Sequence, residues 1–421
     1  MRYAGTVVPA PQSAAVWFCS VGWVMIVRHF LQWVRTADAA DRAEATRALA
    51  RAFLYSDLDA DDRAAAEGAM IMLLDDPSPL VRRALAETLA TSREAPPALM
   101  HALVGDLPDI AALVLECSPL MIDSDLVDLV GAGEACAQAA IARREGLPRS
   151  VAAAIAEVGT AEACLILIEN AEADLALFSV DRIVERHGHL AAIRETLLAF
   201  PDLPAATRQA LVVKLSETLA GFVVARHWLE EARARRIAQE ACEKATVILA
   251  ARSQRSQVSP LVAHLCASGQ LTAGLVLRAL LSGNVTLFEE SLSELSELPV
   301  ARVSALVHDR RGAGFKALYD RAGLPVAVYP AFRAAIEAMH ESEMLAEPGG
   351  PARLKRRMVE RVLTSCASLP AGDVEPLMML LRRYATEAAR EEARLFCDEL
   401  VTFGMRDPIA ANYDEVEPVA A

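Results

Sequence analysis

The chain has 421 residues, of which 54% are hydrophobic and only 5% aromatic. This composition predicts closely packed helices built from Ala, Leu, Val and Ile, and it disfavours a β-sandwich. The net charge of −14 at pH 7 argues against nonspecific binding to nucleic acid or to anionic membranes, because both depend on an extended positive surface.

The first part of the chain contains an apolar run over residues 14–27, with aromatic side chains at Trp17, Phe18 and Trp23. The run is shorter than the roughly 20 residues that a membrane span needs. One interpretation is a targeting segment such as a signal peptide. The favoured interpretation is that residues 1–24 are a non-native extension and that translation starts at Met25, where an amphipathic helix begins, although a start at Met1 stays open.

A short apolar pattern recurs in the first half of the chain. The sequence Asp-Pro-Ser-Pro-Leu-Val-Arg-Arg-Ala-Leu-Ala-Glu-Thr-Leu at 76–89 has a kernel that returns at 110–116 and at 151–157. Each copy predicts a short helix with apolar residues at i, i+3 and i+4, a stripe wide enough to require burial. We therefore assign residues 25–222 to a degenerate solenoid, in which successive helices stack.

The first copy resembles the HEAT-like helical repeat, whose pattern is met by Asp-Pro, Val-Arg and alternating Ala and Leu between Asp76 and Leu85. The resemblance implies a ladder of Asp and Arg side chains between turns. By that implication Asp76, Arg82 and Arg83 are mainly structural, since ion pairs within repeats satisfy helix ends.

The acidic cluster Asp57, Asp59, Asp61 and Asp62 is not expected to bind calcium. A calcium loop needs Gly at its sixth position and Glu at its twelfth, where this chain has Asp62 and Gly68. We interpret the cluster as a helix N-terminus, where acidic side chains offset the helix dipole.

Other metal and redox motifs are weak. His187 and His189 lie near a helix end, but no third ligand with matching spacing follows them. The eight cysteines never approach Cys-x-x-Cys spacing, which favours buried free thiols in a reducing cytoplasm. We therefore expect no metal site and no cofactor.

Residues 209–252 contain no proline and one glycine, Gly221, which permits one long helix. Its charged second half is assigned as a connecting helix over residues 223–257. The alternative is a dimerisation helix that uses Trp228, Leu229 and Ile237.

The remaining chain predicts further helices. Residues 258–345 form a second helical domain, and residues 346–405 contain two C-terminal helices, at 352–367 and 374–404, after a break at 347–351. Residues 406–421 form an acidic tail. A basic patch at 351–361 is interpreted as a helix face whose cations pair with the acidic protein surface.

Several segments of the second domain resemble one bacterial family. These segments are 271–289, 306–309, 314–319, 322–325 and 330–334. They are similar to an alphaproteobacterial family of unknown function, and with the repeats the similarity covers about residues 25–345. The resemblance implies helical repeats and no assigned activity.

We interpret the whole chain as an all-α protein, a degenerate HEAT-like solenoid followed by a second helical domain. The favoured function is a noncatalytic cytoplasmic adaptor whose groove binds a partner protein. The residues expected to line that groove are Arg82, Arg83, Glu87, Glu116 and Glu157.

The alternative is an enzyme or a small-ligand sensor with a site between the two helical domains. That site would use His308, Asp309 and Lys316, which could hold a small anionic ligand near a helix end. DNA binding is a third, weaker reading, disfavoured by the net charge.

Overall fold

The computed structural model describes residues 27–309, 313–342, 350–367 and 375–404. This part of the chain is helical and contains no strand, as the composition predicted. It falls into two compact units, divided between Pro201 and Asp202 and called here unit 1 and unit 2. The predicted extension 1–24, the alternative start at Met25, the acidic tail and most of the break at 347–351 lie outside the described residues.

The helices of unit 1 are short and follow one another closely. They are α1 (27–34), α2 (Ala39–Tyr55), α3 (Ala60–Leu73), α4 (Pro79–Leu89), α5 (Pro97–Val104), α6 (Pro108–Cys117), α7 (Asp123–Ala132), α8 (Ala135–Ala142), α9 (Arg149–Val158), α10 (Ala161–Glu169), α11 (Leu177–His187) and α12 (Ala191–Leu198).

Local chemistry explains where these helices begin. Proline occupies the first turn of α4, α5 and α6, where its missing N–H costs no helical hydrogen bond. The Asp59 carboxylate accepts a hydrogen bond from the Asp62 backbone N–H at 2.8 Å, and Asp61 also lies in the first turn of α3. The acidic cluster therefore includes a helix cap, in the role that the sequence predicted.

Most helices of unit 1 pack on the second helix that follows them in the chain. One row contains α2, α4, α6, α8, α10 and α12, and a second row contains α7, α9 and α11. Leu85 of the first row and Ile155 of the second are both fully buried. α8 has an Ala-rich sequence with no strong apolar periodicity, so the sequence does not predict this helix.

Paired Arg and Asp side chains join neighbouring helices of the first row. Arg42 in the first turn of α2 donates two hydrogen bonds, at 2.9 and 2.8 Å, to Asp76 just before α4. Arg82 in the first turn of α4 donates two, at 2.6 and 2.9 Å, to Asp106 just before α6. These two pairs form an Arg–Asp ladder along the first row, and Asp76 and Arg82 each take part in it.

The helices of unit 2 are longer on average. They are α13 (Ala205–Ala225), α14 (Glu231–Arg252), α15 (Arg255–Ala267), α16 (Ala273–Leu281), α17 (Val285–Ser296), α18 (Val300–Val307), α19 (Ala313–Arg321), a short 3-10 helix (Val326–Val328), α20 (Tyr329–Ser342), α21 (Gly350–Ala367) and α22 (Glu375–Gly404).

The predicted long helix over 209–252 is two helices, which corrects the sequence interpretation. α13 and α14 pack together as a hairpin, and the chain reverses between Ala225 and Glu231. His227 has a left-handed backbone with φ of 57°. The sequence does not predict this conformation, because the turn contains neither Gly nor Pro. α13 belongs to unit 2, whereas the predicted repeat region extended to residue 222.

The C-terminal helices α21 and α22 lie where the sequence predicted them and pack on each other. Two cations of the predicted basic patch pair with α22: Lys355 with Glu391 at 2.7 Å, and Arg356 with Glu392 at 2.9 Å. No described helix is both long and apolar enough to cross a membrane.

Asp106→Ala should destabilise unit 1 by about 2 kcal/mol, because it leaves the Arg82 guanidinium largely buried without its partner. The matched control is Asp174→Ala, which removes an equivalent ion pair with Arg149 whose side chains are 55% and 63% exposed. That change should cost less than about 1 kcal/mol. Urea unfolding followed by far-UV circular dichroism measures both, and equal losses would contradict the structural role of the ladder.

Candidate functional site

The predicted partner-binding residues of the first row differ in how exposed their side chains are and in how they are paired. The Arg82 side chain is only 15% exposed and is held by Asp106. Arg83 is half exposed and donates to Glu87 at 2.8 Å, while Glu87 also accepts from Arg47 of α2 at 3.2 Å. These hydrogen bonds, from Arg83 first, lower the pKa of Glu87 below its ordinary range. Arg83 and Glu87 therefore form a charged surface cluster with Arg47.

The other two predicted partner-binding residues lie farther along unit 1. Glu116 is half-buried on α6, in the first row, whereas Glu157 is exposed on α9, in the second row. Glu157 accepts two hydrogen bonds from Arg182 at 2.8 Å, and Arg182 also pairs with Glu185. The five predicted residues are therefore distributed over both rows of helices.

Of the predicted ligand residues His308, Asp309 and Lys316, His308 lines a small cavity on α17 and α18. His308 Nδ1 lies 2.9 Å from the Ser304 carbonyl and 3.5 Å from Glu289 Oε1. This cavity is also lined by Glu289 and Arg255, and Asp309 and Lys316 are not among its lining residues. An anionic ligand in this cavity would therefore meet the buried carboxyl group of Glu289 as well as the Arg255 cation.

The weaker metal reading for His187 also has a structural alternative. His187 Nε2 lies 3.3 Å from the Gly159 carbonyl, and burial lowers the pKa of this imidazole. Among the described residues, no group of three or more His, Cys, Asp or Glu side chains is placed to hold a metal ion.

Cys164 and Cys366 are buried as expected, whereas Cys117, Cys136, Cys266 and Cys397 are exposed free thiols.

The hairpin of α13 and α14 ends in an exposed aromatic group, called here the tip cluster and made of Leu219, Phe222, Arg226 and Trp228. The Trp228 ring packs edge-on against Phe222 with ring centres 5.8 Å apart. The Arg226 guanidinium lies 4.5 Å from the Phe222 ring centre and 5.6 Å from that of Trp228. Trp228 is 64% exposed, so the cluster presents an apolar surface to solvent.

The three residues proposed for dimerisation are divided by the hairpin. Trp228 belongs to the tip cluster, Leu229 beside it is half-buried, and Ile237 is exposed on α14. Phe222 and Leu219, which the sequence analysis did not single out, complete the exposed surface. Their spacing from Leu215 on α13, at i, i+4 and i+7, was the signal that could have identified them.

A buried ionic group lies beside the hairpin and is called here the Arg278 network, made of Arg278, Glu243, Glu387, Lys244 and Tyr384. Arg278 on α16 is 6% exposed and donates from Nη1 to Glu387 Oε2 at 2.7 Å. Its Nε lies 4.0 Å from Glu243 Oε2, and its guanidinium lies 4.2 Å from the Tyr384 ring centre. The network thus connects α14, α16 and α22.

The pKa values of the two carboxyl groups in the Arg278 network are shifted in opposite directions. Burial raises the pKa of Glu243, and its hydrogen bond from Thr272 and the charge of Arg278 offset this rise only in part. Burial also acts to raise the pKa of Glu387, but the hydrogen bond and charge of Arg278, with help from Lys244, bring it below its ordinary value. Arg278 therefore neutralises mainly Glu387, and the negative charge of Glu243 is only partly compensated.

The Arg278 network was not predicted, although the sequence contains one signal for it. Arg278 is a lone cation within the apolar run Leu275–Leu281, and such a residue requires a buried partner. The partner could not be named from the sequence, because Glu387 lies 109 residues away.

These features define a two-unit, all-helical protein with an exposed aromatic tip and a buried ionic network. The chain belongs to a bacterial family described as "Uncharacterised protein conserved in bacteria (DUF2336)", whose model matches residues 110–371. That match includes the tip cluster, Arg278 and Glu243, and it begins after the Asp–Arg pairs of α2 and α4. The search of curated proteins found no match. No solved structure matches the chain either.

Arg278→Met should lower the free energy of unfolding of unit 2 by about 2–3 kcal/mol, because Glu387 would lose its buried hydrogen-bonded cation and keep only Lys244, at 3.0 Å. Arg235→Met is the control, since it breaks an exposed pair with Glu231 on the same hairpin and should cost less than about 1 kcal/mol. Chemical unfolding monitored by circular dichroism compares the two. Similar losses for both variants would contradict the role assigned to Arg278.

Glu243→Gln should make stability less dependent on pH. A carboxyl whose folded pKa exceeds its unfolded value binds its proton more tightly when folded, so wild-type stability falls as pH rises above 4.5 toward the folded pKa. The variant cannot ionise and lacks this loss. Urea midpoints measured from pH 4.5 upward should show the variant gaining on the wild type, and a constant difference would disprove the raised pKa.

Proposed function

We propose that the protein is a noncatalytic helical adaptor, in which unit 1 is a HEAT-like solenoid and the α13–α14 hairpin of unit 2 binds a partner protein. The observation that carries the proposal is the exposed tip cluster. Trp and Arg are enriched among the residues that dominate binding energy at protein interfaces, and the cluster holds both beside Phe222.

Contacts within the tip cluster hold its side chains against one another. The left-handed backbone of His227 turns the chain so that Trp228 folds back on Phe222, and Arg226 covers both rings. Side chains that are held in place lose little conformational freedom on binding, so more of the contact energy is available for affinity.

Charge around the tip indicates what kind of partner fits. The chain carries a net charge of −14, yet cations outnumber acids near the tip. The cations are Arg226, Arg233, Arg235 and Arg236, and the acids are Glu230 and Glu231. We infer a partner with an apolar contact surface and an acidic rim. Two copies of the same tip would bring like charges together, which favours a different protein over a homodimer.

Unit 1 supports the adaptor proposal in a different way. Helices that pack on the next but one and are joined by Arg–Asp pairs form the kind of arrangement that solenoids use to display extended surfaces. The exposed cluster of Arg83 and Glu87, and that of Glu157 and Arg182, lie on this unit. The free cysteines support a cytoplasmic location for the adaptor.

Trp228→Ala should weaken partner binding at least tenfold, or about 1.4 kcal/mol, because it removes the central aromatic side chain of the tip. Affinity capture from the native bacterium, read by quantitative mass spectrometry, compares wild type, Trp228→Ala and Phe222→Ala. Tyr55→Ala is the control, since Tyr55 is 82% exposed but lies on unit 1.

The proposal requires proteins that wild type and Tyr55→Ala retain and that both tip variants lose. An unchanged set of captured proteins with Trp228→Ala would contradict it. A wild-type dimer in sedimentation that dissociates with Trp228→Ala would also contradict it, because the tip would then bind a second copy.

A further inference from the structure

A cavity of about 600 Å³ lies within unit 2, between α13, α14 and the turn that precedes α16, and is called here the hairpin cavity. Much of its wall is apolar, with Val213, Ala220, Ala234, Leu265 and Leu275 among the lining residues. This volume and lining are typical of sites for small organic molecules, in which a few polar groups fix the orientation of the ligand.

Two buried acceptor groups lie among the residues that line the hairpin cavity, the side-chain oxygen of Gln209 and the carboxylate of Glu243. Gln209 is 1% exposed, and its Nε2 donates to Gln270 Oε1 at 2.5 Å. Gln209 Oε1 is buried and has no hydrogen-bond donor within the described structure. Glu243 is 8% exposed and accepts from Thr272 Oγ1 at 2.9 Å and from Gln239 Nε2 at 3.5 Å. Gln209 Oε1 is therefore the acceptor that a donor on a ligand would satisfy, since a buried acceptor without a donor is costly.

The charges that line the hairpin cavity are predominantly negative. Glu217, Glu231 and Glu243 line it, against a single cation, Arg235, which pairs with Glu231. An anionic ligand would face repulsion from Glu217 and Glu243, so the lining disfavours phosphates and carboxylates.

Arg278 does not supply the counter-charge that Glu243 needs. Its Nη1 is bound to Glu387 at 2.7 Å, while its Nε remains 4.0 Å from Glu243 and forms no hydrogen bond with it. The neighbouring Glu240 adds a like charge on α14. A second cation beside Glu243 would therefore be stabilised by a buried carboxylate that is incompletely paired.

We propose that the hairpin cavity binds a small organic cation, an ammonium or amidinium group carried on an apolar body. Its N–H groups donate to the Glu243 carboxylate and to Gln209 Oε1, and its apolar body packs against Val213 and Leu275. This site is independent of the tip cluster and assigns unit 2 a ligand in addition to a protein partner.

Cys242 offers a local readout, because it lines the hairpin cavity and is partly buried, whereas Cys266 is exposed and does not line it. The probes are 2-phenylethylammonium, its neutral analogue 2-phenylethanol and its anionic analogue phenylacetate. Iodoacetamide labelling of each cysteine is followed by peptide mass spectrometry on the full chain. We expect the ammonium probe to slow labelling of Cys242 at least about fivefold at saturation, with Cys266 unaffected.

Variants connect this protection to the proposed contacts. Glu243→Gln should raise the concentration of ammonium probe needed for protection at least about tenfold, because it removes the counter-charge. Gln209→Leu removes the unpaired acceptor and should weaken protection without changing the charge, which gives a second test if Glu243→Gln fails to fold. Glu294→Gln, an exposed change on α17, is the control and should leave protection unchanged.

Three results would overturn the proposal. These are equal protection by 2-phenylethanol or phenylacetate, no protection of Cys242 by any probe up to about 10 mM, and unchanged protection in Glu243→Gln. The ammonium probe should protect Cys242 in Trp228→Ala as strongly as in the wild type. Failure of the adaptor proposal and failure of the ligand proposal therefore give different results.

Discussion

The Arg278 guanidinium joins three helices that are distant in sequence, because it donates to Glu387 on α22 while it faces Glu243 on α14. A cation buried to this extent is tolerated only when it is paired, so α14, α16 and α22 must lie close together for unit 2 to be stable. The Tyr384 ring completes the enclosure, since its hydroxyl donates to the Gly274 carbonyl of α16 at 3.2 Å. The side of α14 that carries Glu243, and with it one end of the hairpin cavity, is held by this arrangement.

The two units use ion pairs in different ways. In unit 1, Arg42–Asp76 and Arg82–Asp106 join elements 34 and 24 residues apart, and each pair links one helix to the next of its row. Such local pairs suit an extended surface that is built by repetition. In unit 2, one long-range network brings together charges with unequal compensation, which leaves Glu243 able to accept a further cation. The local pairs of unit 1 thus support an extended surface, and the long-range network of unit 2 supports one end of the hairpin cavity.

The sequence predicts much of the fold because short helices carry their own signals. The proline at the start of α4 and its apolar spacing located that helix, and the resemblance to a HEAT-like repeat implied the structural role of Arg82. The chain reversal at His227 was not predictable, since a left-handed residue other than Gly or Asn has no clear sequence signal. The Arg278–Glu387 pair was also missed, because periodicity reveals which face of a helix is buried and not which distant residue it meets.

A double-mutant cycle of Arg278→Met and Glu387→Gln measures directly whether these two side chains stabilise unit 2 as a pair. The free energies of unfolding of wild type, both single variants and the double variant are needed. A buried, hydrogen-bonded pair predicts a coupling energy of at least about 1.5 kcal/mol, with the double variant more stable than the sum of the single losses implies. Losses that add within about 0.5 kcal/mol would contradict the pairing on which the architecture of unit 2 depends.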